Sequence, residues 1–318
     1  MMKNKRGFTL IEAIGIVTIL ALMLLLVVPS ITKTLKRNEQ KKYNGYLNNL
    51  KSATESYIVE KLKEEVVIGD EYYVTLGNLI DTKFIRESIK NPENDGVLSR
   101  ETKIKVTKNL DGTRYYTIQP HYLLPETYTL VDYIESNGTQ YIDTKVIPNS
   151  ITTLKLELSF SDYNESSSAR SFVGVQSLDE SAFSVAFAPS YSNTLNVFID
   201  RTDDVEILDV TDEIIANQNQ FTLENGSVNY GDQNGILTSK TTTHNTSLIV
   251  FGVREDDSIT PFSTYDMQLY GFEIYDDNDM IRDFVPCYRN SDNQVGLFDL
   301  VNFVFYTNKG TGTFEYGE

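Results

Sequence analysis

The sequence predicts an α+β chain in two parts. One long N-terminal helix, its lower half embedded in a membrane, packs on a small antiparallel sheet, and an all-β sandwich follows. Three observations carry this. Phe8 to Val28 is a mostly apolar run of 21 residues, enough for a helix to cross a hydrocarbon core of roughly 30 Å. Beyond it, apolar residues recur at three- and four-residue steps. From about Glu126 the texture changes to short alternating runs separated by Asn, Asp, Ser and Gly.

Charge divides the chain at the same place. Residues 121–318 hold 9 Lys and Arg against 31 Asp and Glu, a net of −22, whereas residues 1–120 carry +5 of the total −17. An acidic surface of that kind repels phosphates, so the C-terminal part is not expected to bind nucleic acid. The chain has one cysteine, Cys287, which excludes an intrachain disulfide, and two histidines, His121 and His244, which nearly exclude a Cys/His zinc site. Cys287, flanked by apolar strand sequence, reads as a buried small hydrophobe.

Within the apolar run sits Glu12, preceded by Lys3-Asn4-Lys5-Arg6-Gly7. The segment fits a plain anchor, or a secretory signal leaving at Val28-Pro29-Ser30. Both readings leave Glu12 unexplained, because an ionised carboxylate in a bilayer is costly unless it is paired. Cleavage between Gly7 and Phe8 would create an α-amine at the same depth. Glu12 of a neighbouring copy would then neutralise it and fix one stagger between subunits.

Lys5-Arg6-Gly7-Phe8-Thr9-Leu10-Ile11-Glu12 closely resembles the leader junction of type IV prepilins and type II secretion pseudopilins. That resemblance implies a leader of residues 1–7, cleavage by a membrane prepilin peptidase after Gly7, N-methylation of Phe8, and an assembly role for Glu12. It also makes Pro29 the helix-kinking proline and residues 8–30 the membrane half of the helix. Its implied partners are the membrane, other pilin or pseudopilin subunits, and an assembly ATPase that extracts the subunit. Lys33, Lys36, Arg37, Lys41 and Lys42 follow the span, against the positive-inside rule, so orientation comes from the resemblance and not from charge.

Tyr43, Leu47, Leu50, Thr54, Tyr57, Ile58 and Leu62 continue the helix as one apolar stripe, extending it from Phe8 to about Glu65 before Gly69-Asp70 stops it. The stripe reads as packing against a sheet. Thr75 to Ile80 reads as a short capped helix. Lys103–Lys108 alternates as a strand, Asp111-Gly112 turns, and Arg114–Ile118 returns. Residues 31–118 thus form the pilin-like part. Gln119 to Pro125, with two prolines, reads as a linker.

Residues 126–318 read as the sandwich. Tyr133-Ile134-Glu135-Ser136-Asn137-Gly138-Thr139-Gln140-Tyr141-Ile142-Asp143-Thr144 at its start resembles concanavalin A-like (laminin G-like) jelly-roll domains. So does its close, Arg282 to Arg289, Gly296 to Asp299 and Phe305 to Gly312. The resemblance implies the fold, whose members include binders, enzymes and spacers alike. In the jelly-roll glucanases the catalytic carboxylates follow Glu-x-Asp-x-x-Glu. The nearest match is Glu255-Asp256-Asp257-Ser258-Ile259-Thr260, which ends in threonine, so no enzyme is expected.

Sugar recognition favours exposed aromatics, and the loop tyrosines Tyr163, Tyr191 and Tyr230 are the candidates. Asp200, Asp203 and Asp204, and Asp276, Asp277 and Asp279, are acidic clusters of the type calcium takes, although their spacing fits no loop motif and solvated turns are the plainer reading. No other cofactor is expected.

The expected protein is a pilin-like structural subunit, single-pass in the membrane before assembly and in a surface filament afterwards. Its lectin-like head is displayed outside for adhesion to a glycan or host protein. A head of this size would crowd a repeating filament, which favours a minor or tip subunit. The rivals are an anchored surface carbohydrate-binding protein that never polymerises, and a glycan-active enzyme on an anchor.

Overall fold

The computed structural model describes residues 10–62, 66–161, 170–177, 182–188, 194–198, 205–209, 216–237, 242–263 and 265–318. It divides into two compact units, residues 1–118 and 119–318.

The first unit is built on α1 (Leu10–Tyr57), 48 residues and so about 72 Å long. The expected extension to Glu65 takes a different form. Regular α-geometry ends at Tyr57 and one π-helical turn, Ile58–Leu62, finishes the helix, while residues 63–65 lie outside the described ones. The stripe read from the sequence is buried at Tyr43, Leu50, Thr54 and Ile58 and half-buried at Leu47 and Tyr57; the side chain of Leu62 is not described. It packs on β1 (Glu71–Thr75), α2 (Leu76–Asp81), β2 (Lys103–Lys108) and β3 (Arg114–Gln119), with Val74, Leu76, Leu79, Ile104 and Val106 buried.

β2 is central and antiparallel to β1, so β3 forms an edge. α2 carries the expected cap: Thr75 Oγ1 accepts from the Asn78 amide at 3.1 Å, and Asn78 Oδ1 accepts from the Thr75 amide at 3.0 Å. Glu55 on α1 ties helix to sheet by accepting from both Arg114 and Tyr116.

The second unit is a β-sandwich. Among the described residues, one sheet of eight strands runs through Val205–Asp209, Thr194–Phe198, Ala182–Ala188, Arg170–Gln176, Ile249–Val250 and Ile142–Asp143. The other, of eleven, runs through Gln233–Ile236, Ser227–Tyr230, Asn219–Glu224, Thr152–Ser161, Asp266–Asp276, Asp279–Arg289, Gln294–Asp299 and Val304–Thr307. Alternate residues of each strand point inward, as the two-residue period requires. From the larger sheet these include Leu154, Leu156, Leu158, Phe221, Leu269, Phe272 and Ile274, and from the smaller Val173, Val185, Leu195 and Val250, all in one buried core.

A second, smaller core lies elsewhere on the larger sheet, where Cys287, Phe298 and Leu300 are covered by Leu124, Tyr128 and Phe303. Residues 119–125, read as a linker, supply part of that cover. Gln119 Nε2 donates to Asp279 at 2.6 Å and His121 Nε2 meets Asp283 at 2.5 Å. The Tyr122 amide donates to the Leu300 carbonyl at 2.7 Å, and its ring meets Phe303 edge-on. The segment is a strap belonging to this unit. Its prolines remove two donors, while Gln119, His121 and Tyr122 tie it to this unit.

Candidate functional site

α1 runs unbroken through Glu12 and Pro29, whose side chains are not described, while Gly7 and Phe8 lie outside the described residues. Among the described residues no helix is long and apolar enough to cross a membrane, and most of the apolar run, residues 8–13 and 19–28, has side chains outside that set.

In the sandwich, Tyr163, Tyr191, Asp200, Asp203 and Asp204 also lie outside the described residues. Tyr230 is not an exposed loop residue. It ends the strand Ser227–Tyr230, is 1% exposed, and sits in the main core. Its neighbours Gly231 and Asp232 form the turn, but Val228 and Tyr230 share the inward face, and that alternation outweighs the polar flank. Burial pushes its phenol up, and its hydroxyl has no hydrogen-bond partner among the described residues.

Asp276 and Asp279 flank the hairpin turn at Asp277, which adopts φ 57°. Asp276 accepts from Asn149 and Asp279 from Gln119, and among the described residues no group of three His, Cys, Asp or Glu converges on a metal position. The calcium expectation at this turn therefore finds no ligand set. Glu255, Asp256 and Asp257 occupy another tight hairpin, in which Glu255 pairs with Ser258. Cys287 is fully buried and its thiol is pushed up to about 12, chiefly by desolvation.

The sandwich presents its aromatic and polar groups elsewhere, on the outer face of the larger sheet. Strands Tyr133–Ser136, Asp266–Asp276 and Thr152–Ser161 lie side by side, with Gln268 opposite both Glu135 and Ser159. Gln268 Nε2 donates to Glu135 at 2.5 Å, and Gln268 Oε1 accepts from Ser159 at 2.9 Å and from Tyr270 at 3.0 Å. The Tyr133 and Tyr270 rings meet at 5.2 Å, tilted by 56°, both half-buried, and the Tyr133 ring lies against Gly317.

A register shift between Leu269 and Gly271 makes Tyr270 the extra residue of a bulge, a device that re-aims a side chain. A Cβ on Gly271 would meet nothing within 4 Å. Desolvation, then the charges of Glu135 and its neighbours, raise the Tyr133 phenol, which keeps it a neutral donor. Further along the strand, Lys155 lies 4.8 Å from the centre of the Tyr275 ring, and Tyr275 donates to Glu273. Chemically this is a shallow aromatic platform with a carboxylate and an amide at its edge. The sequence carried its signal as alternation, Tyr133-x-Glu135 and Gln268-x-Tyr270, rather than as loop tyrosines.

The two stretches quoted for the second resemblance meet in space and close the fold. Asn308 Oδ1 accepts from the Tyr141 and Gly310 amides at 3.1 and 2.8 Å, and Asn308 Nδ2 donates to the Gly312 carbonyl. The Thr311 amide donates to the Thr139 carbonyl, and Gln140 Nε2 to the Thr313 carbonyl at 2.9 Å. A Cβ on Gly310 would collide with the Thr139 carbonyl oxygen, which explains a glycine there. These residues seam the ends of the sandwich.

A family model described as the prokaryotic N-terminal methylation motif matches residues 2–28. Among curated proteins no relative matches the chain. The motif is the type IV prepilin-like N-terminus, and it supports a pilin-like protein processed by a prepilin peptidase, anchored in the membrane before pilin-type assembly.

Proposed function

We propose that this protein is a minor or tip subunit of a type IV pilus or pseudopilus, carrying a concanavalin A-like jelly-roll head that binds a surface glycan. The observation that carries the filament reading is the methylation motif ending on an apolar run that contains Glu12. Cleavage after Gly7 gives Phe8 a new amine, and Glu12 of a neighbouring copy pairs with it, so two costly charges become one dry pair. The mature N-terminal residue tests this. Methylated Phe8 is the expected result of terminal sequencing by mass spectrometry, and Met1 or Ile31 would sink it. Glu12→Ala is expected to abolish filaments while membrane insertion persists; unaltered filaments would remove the pairing role.

For the head, the Tyr133–Tyr270 platform supports carbohydrate over protein. One face of a sugar ring is a patch of C–H groups suited to an aromatic ring, and its hydroxyls suit Glu135 and Gln268. Tyr133→Ala with Tyr270→Ala is expected to erase retention on a glycan array. Both rings are half-buried, so each substitution should cost about 1–3 kcal/mol, and thermal unfolding of the double variant checks that it still folds. Glycan binding that survives both substitutions would move the site elsewhere. Binding unaffected by any filament defect would favour the rival, an anchored glycan-binding protein that does not polymerise.

A further inference from the structure

Beyond the apolar run, α1 carries Lys33, Lys36, Arg37, Lys41 and Lys42 against a single acid, Glu39. Lys36, Arg37, Lys41 and Lys42 are all exposed. At about 100° per residue their directions are spread round the helix rather than gathered on one face. A helix lying flat on a bilayer concentrates its basic residues on one side. A helix that crosses the surface needs them on every side, and that is the pattern here.

Depth agrees with this. At 1.5 Å per residue, Lys33 to Arg37 fall roughly 8–14 Å beyond Val28, within the headgroup layer plus one Debye length of about 8 Å. Long Lys and Arg stems let Lys41 and Lys42 reach back toward the same plane. The remaining faces in this stretch offer no apolar surface to a protein partner, apart from Leu35.

We infer that Lys33 to Lys42 form a basic collar that binds anionic lipid headgroups on the outer face of the membrane and sets the depth of the unassembled subunit. The inference rests on the membrane-anchored reading above. Before processing, Lys3, Lys5 and Arg6 flank the other end of the span. Removing the leader deletes those three charges, so cleavage transfers the electrostatic hold from one face to the other. Extraction into a filament then has to break the collar's contacts.

The chain has no tryptophan, so Leu35→Trp, at an exposed position within the collar, gives a single reporter in the full chain. The mature protein would be reconstituted into phosphatidylcholine vesicles containing a minority of phosphatidylglycerol, with bromine placed on one lipid or the other in matched samples. The expected result is stronger quenching by brominated phosphatidylglycerol. That preference should fall roughly two- to fivefold per cation removed in Lys36→Gln, Arg37→Gln, Lys41→Gln and Lys42→Gln variants, and should collapse in molar salt. Equal quenching by both lipids would overturn the collar while leaving the anchor standing. It would also point to the collar's being kept for acidic surfaces of neighbouring subunits. Quenching by neither lipid would overturn the anchor, and the collar with it.

Discussion

The two units differ in what surrounds their acidic residues. In the sandwich, Asp143 is 7% exposed and has every partner it needs within its own unit. It accepts from Lys145 at 2.6 Å, Arg254 at 2.8 Å and Ser247 at 2.5 Å. Asp299, fully buried, accepts from the Asp283, Val301 and Asn302 amides, with Arg282 at 3.4 Å. The helical unit instead has Glu12, whose side chain is not described, in an apolar run whose own sequence supplies no cation within a helical turn. The sandwich answers its buried carboxylates from within its own unit, whereas the sequence around Glu12 offers that residue no local counter-charge.

The sharpest way to break that contrast is to remove the internal partner. Asp143→Ala should destabilise the sandwich by about 3–4 kcal/mol, because it strands the Arg254 guanidinium, whose side chain is 18% exposed. Burial alone would raise the Asp143 carboxyl, but hydrogen bonds from Lys145 and Ser247 hold it below its usual value. A depressed folded-state pKa contributes stability above the unfolded-state value near 4, and that contribution is lost as pH falls through the lower folded-state value. Asp299 runs the other way: desolvation raises it, so its favourable term is present at low pH and is lost as pH rises through its raised value. Urea unfolding of wild type and Asp143→Ala should therefore show a difference that is constant near neutrality and shrinks in strong acid. A difference independent of pH would deny the ion pair its role.

Gly310→Ala probes the seam between the ends of the sandwich. The added methyl has no room against the Thr139 carbonyl, and overpacking of this kind costs about 1–3 kcal/mol. Thermal unfolding should show the whole sandwich weakening in one transition, since strands Tyr133–Ser136 and Glu315–Gly317 are paired across the same seam. A separate early transition would show that the ends fray on their own.

How far the sequence spoke for itself also differs between the units. In the stalk, local signals decide. The Thr75–Asn78 cap, the Lys103–Lys108 strand and the Asp111-Gly112 turn all stand where capping and alternation placed them, because their partners lie close in the chain. The π turn at Ile58–Leu62 had no such signal. In the sandwich, Cys287 was legible from its apolar neighbours, but the outward tyrosines were not. Whether Tyr270 faces out depends on a bulge set by pairing with residues more than 100 positions away. The strap was hidden for the same reason: His121 and Tyr122 are held by Asp283 and Leu300, which sequence distance conceals.

Tyr230 offers the smallest effect and the finest test of the sandwich's self-sufficiency. Its ring belongs to the core, but its hydroxyl is buried without a partner among the described residues. An unsatisfied buried hydroxyl costs about 1–3 kcal/mol of desolvation, part of which returns when the oxygen is removed and the ring is kept. Tyr230→Phe should accordingly be neutral or stabilising by up to about 1 kcal/mol, read as a raised urea midpoint with unchanged slope. Tyr230→Ala should instead cost about 3–5 kcal/mol by emptying the ring's place in the core. A loss of stability in Tyr230→Phe would mean that the hydroxyl does have a partner, a bound water or one of the neighbouring residues outside the described set. The sandwich would then be as fully satisfied here as it is at Asp143.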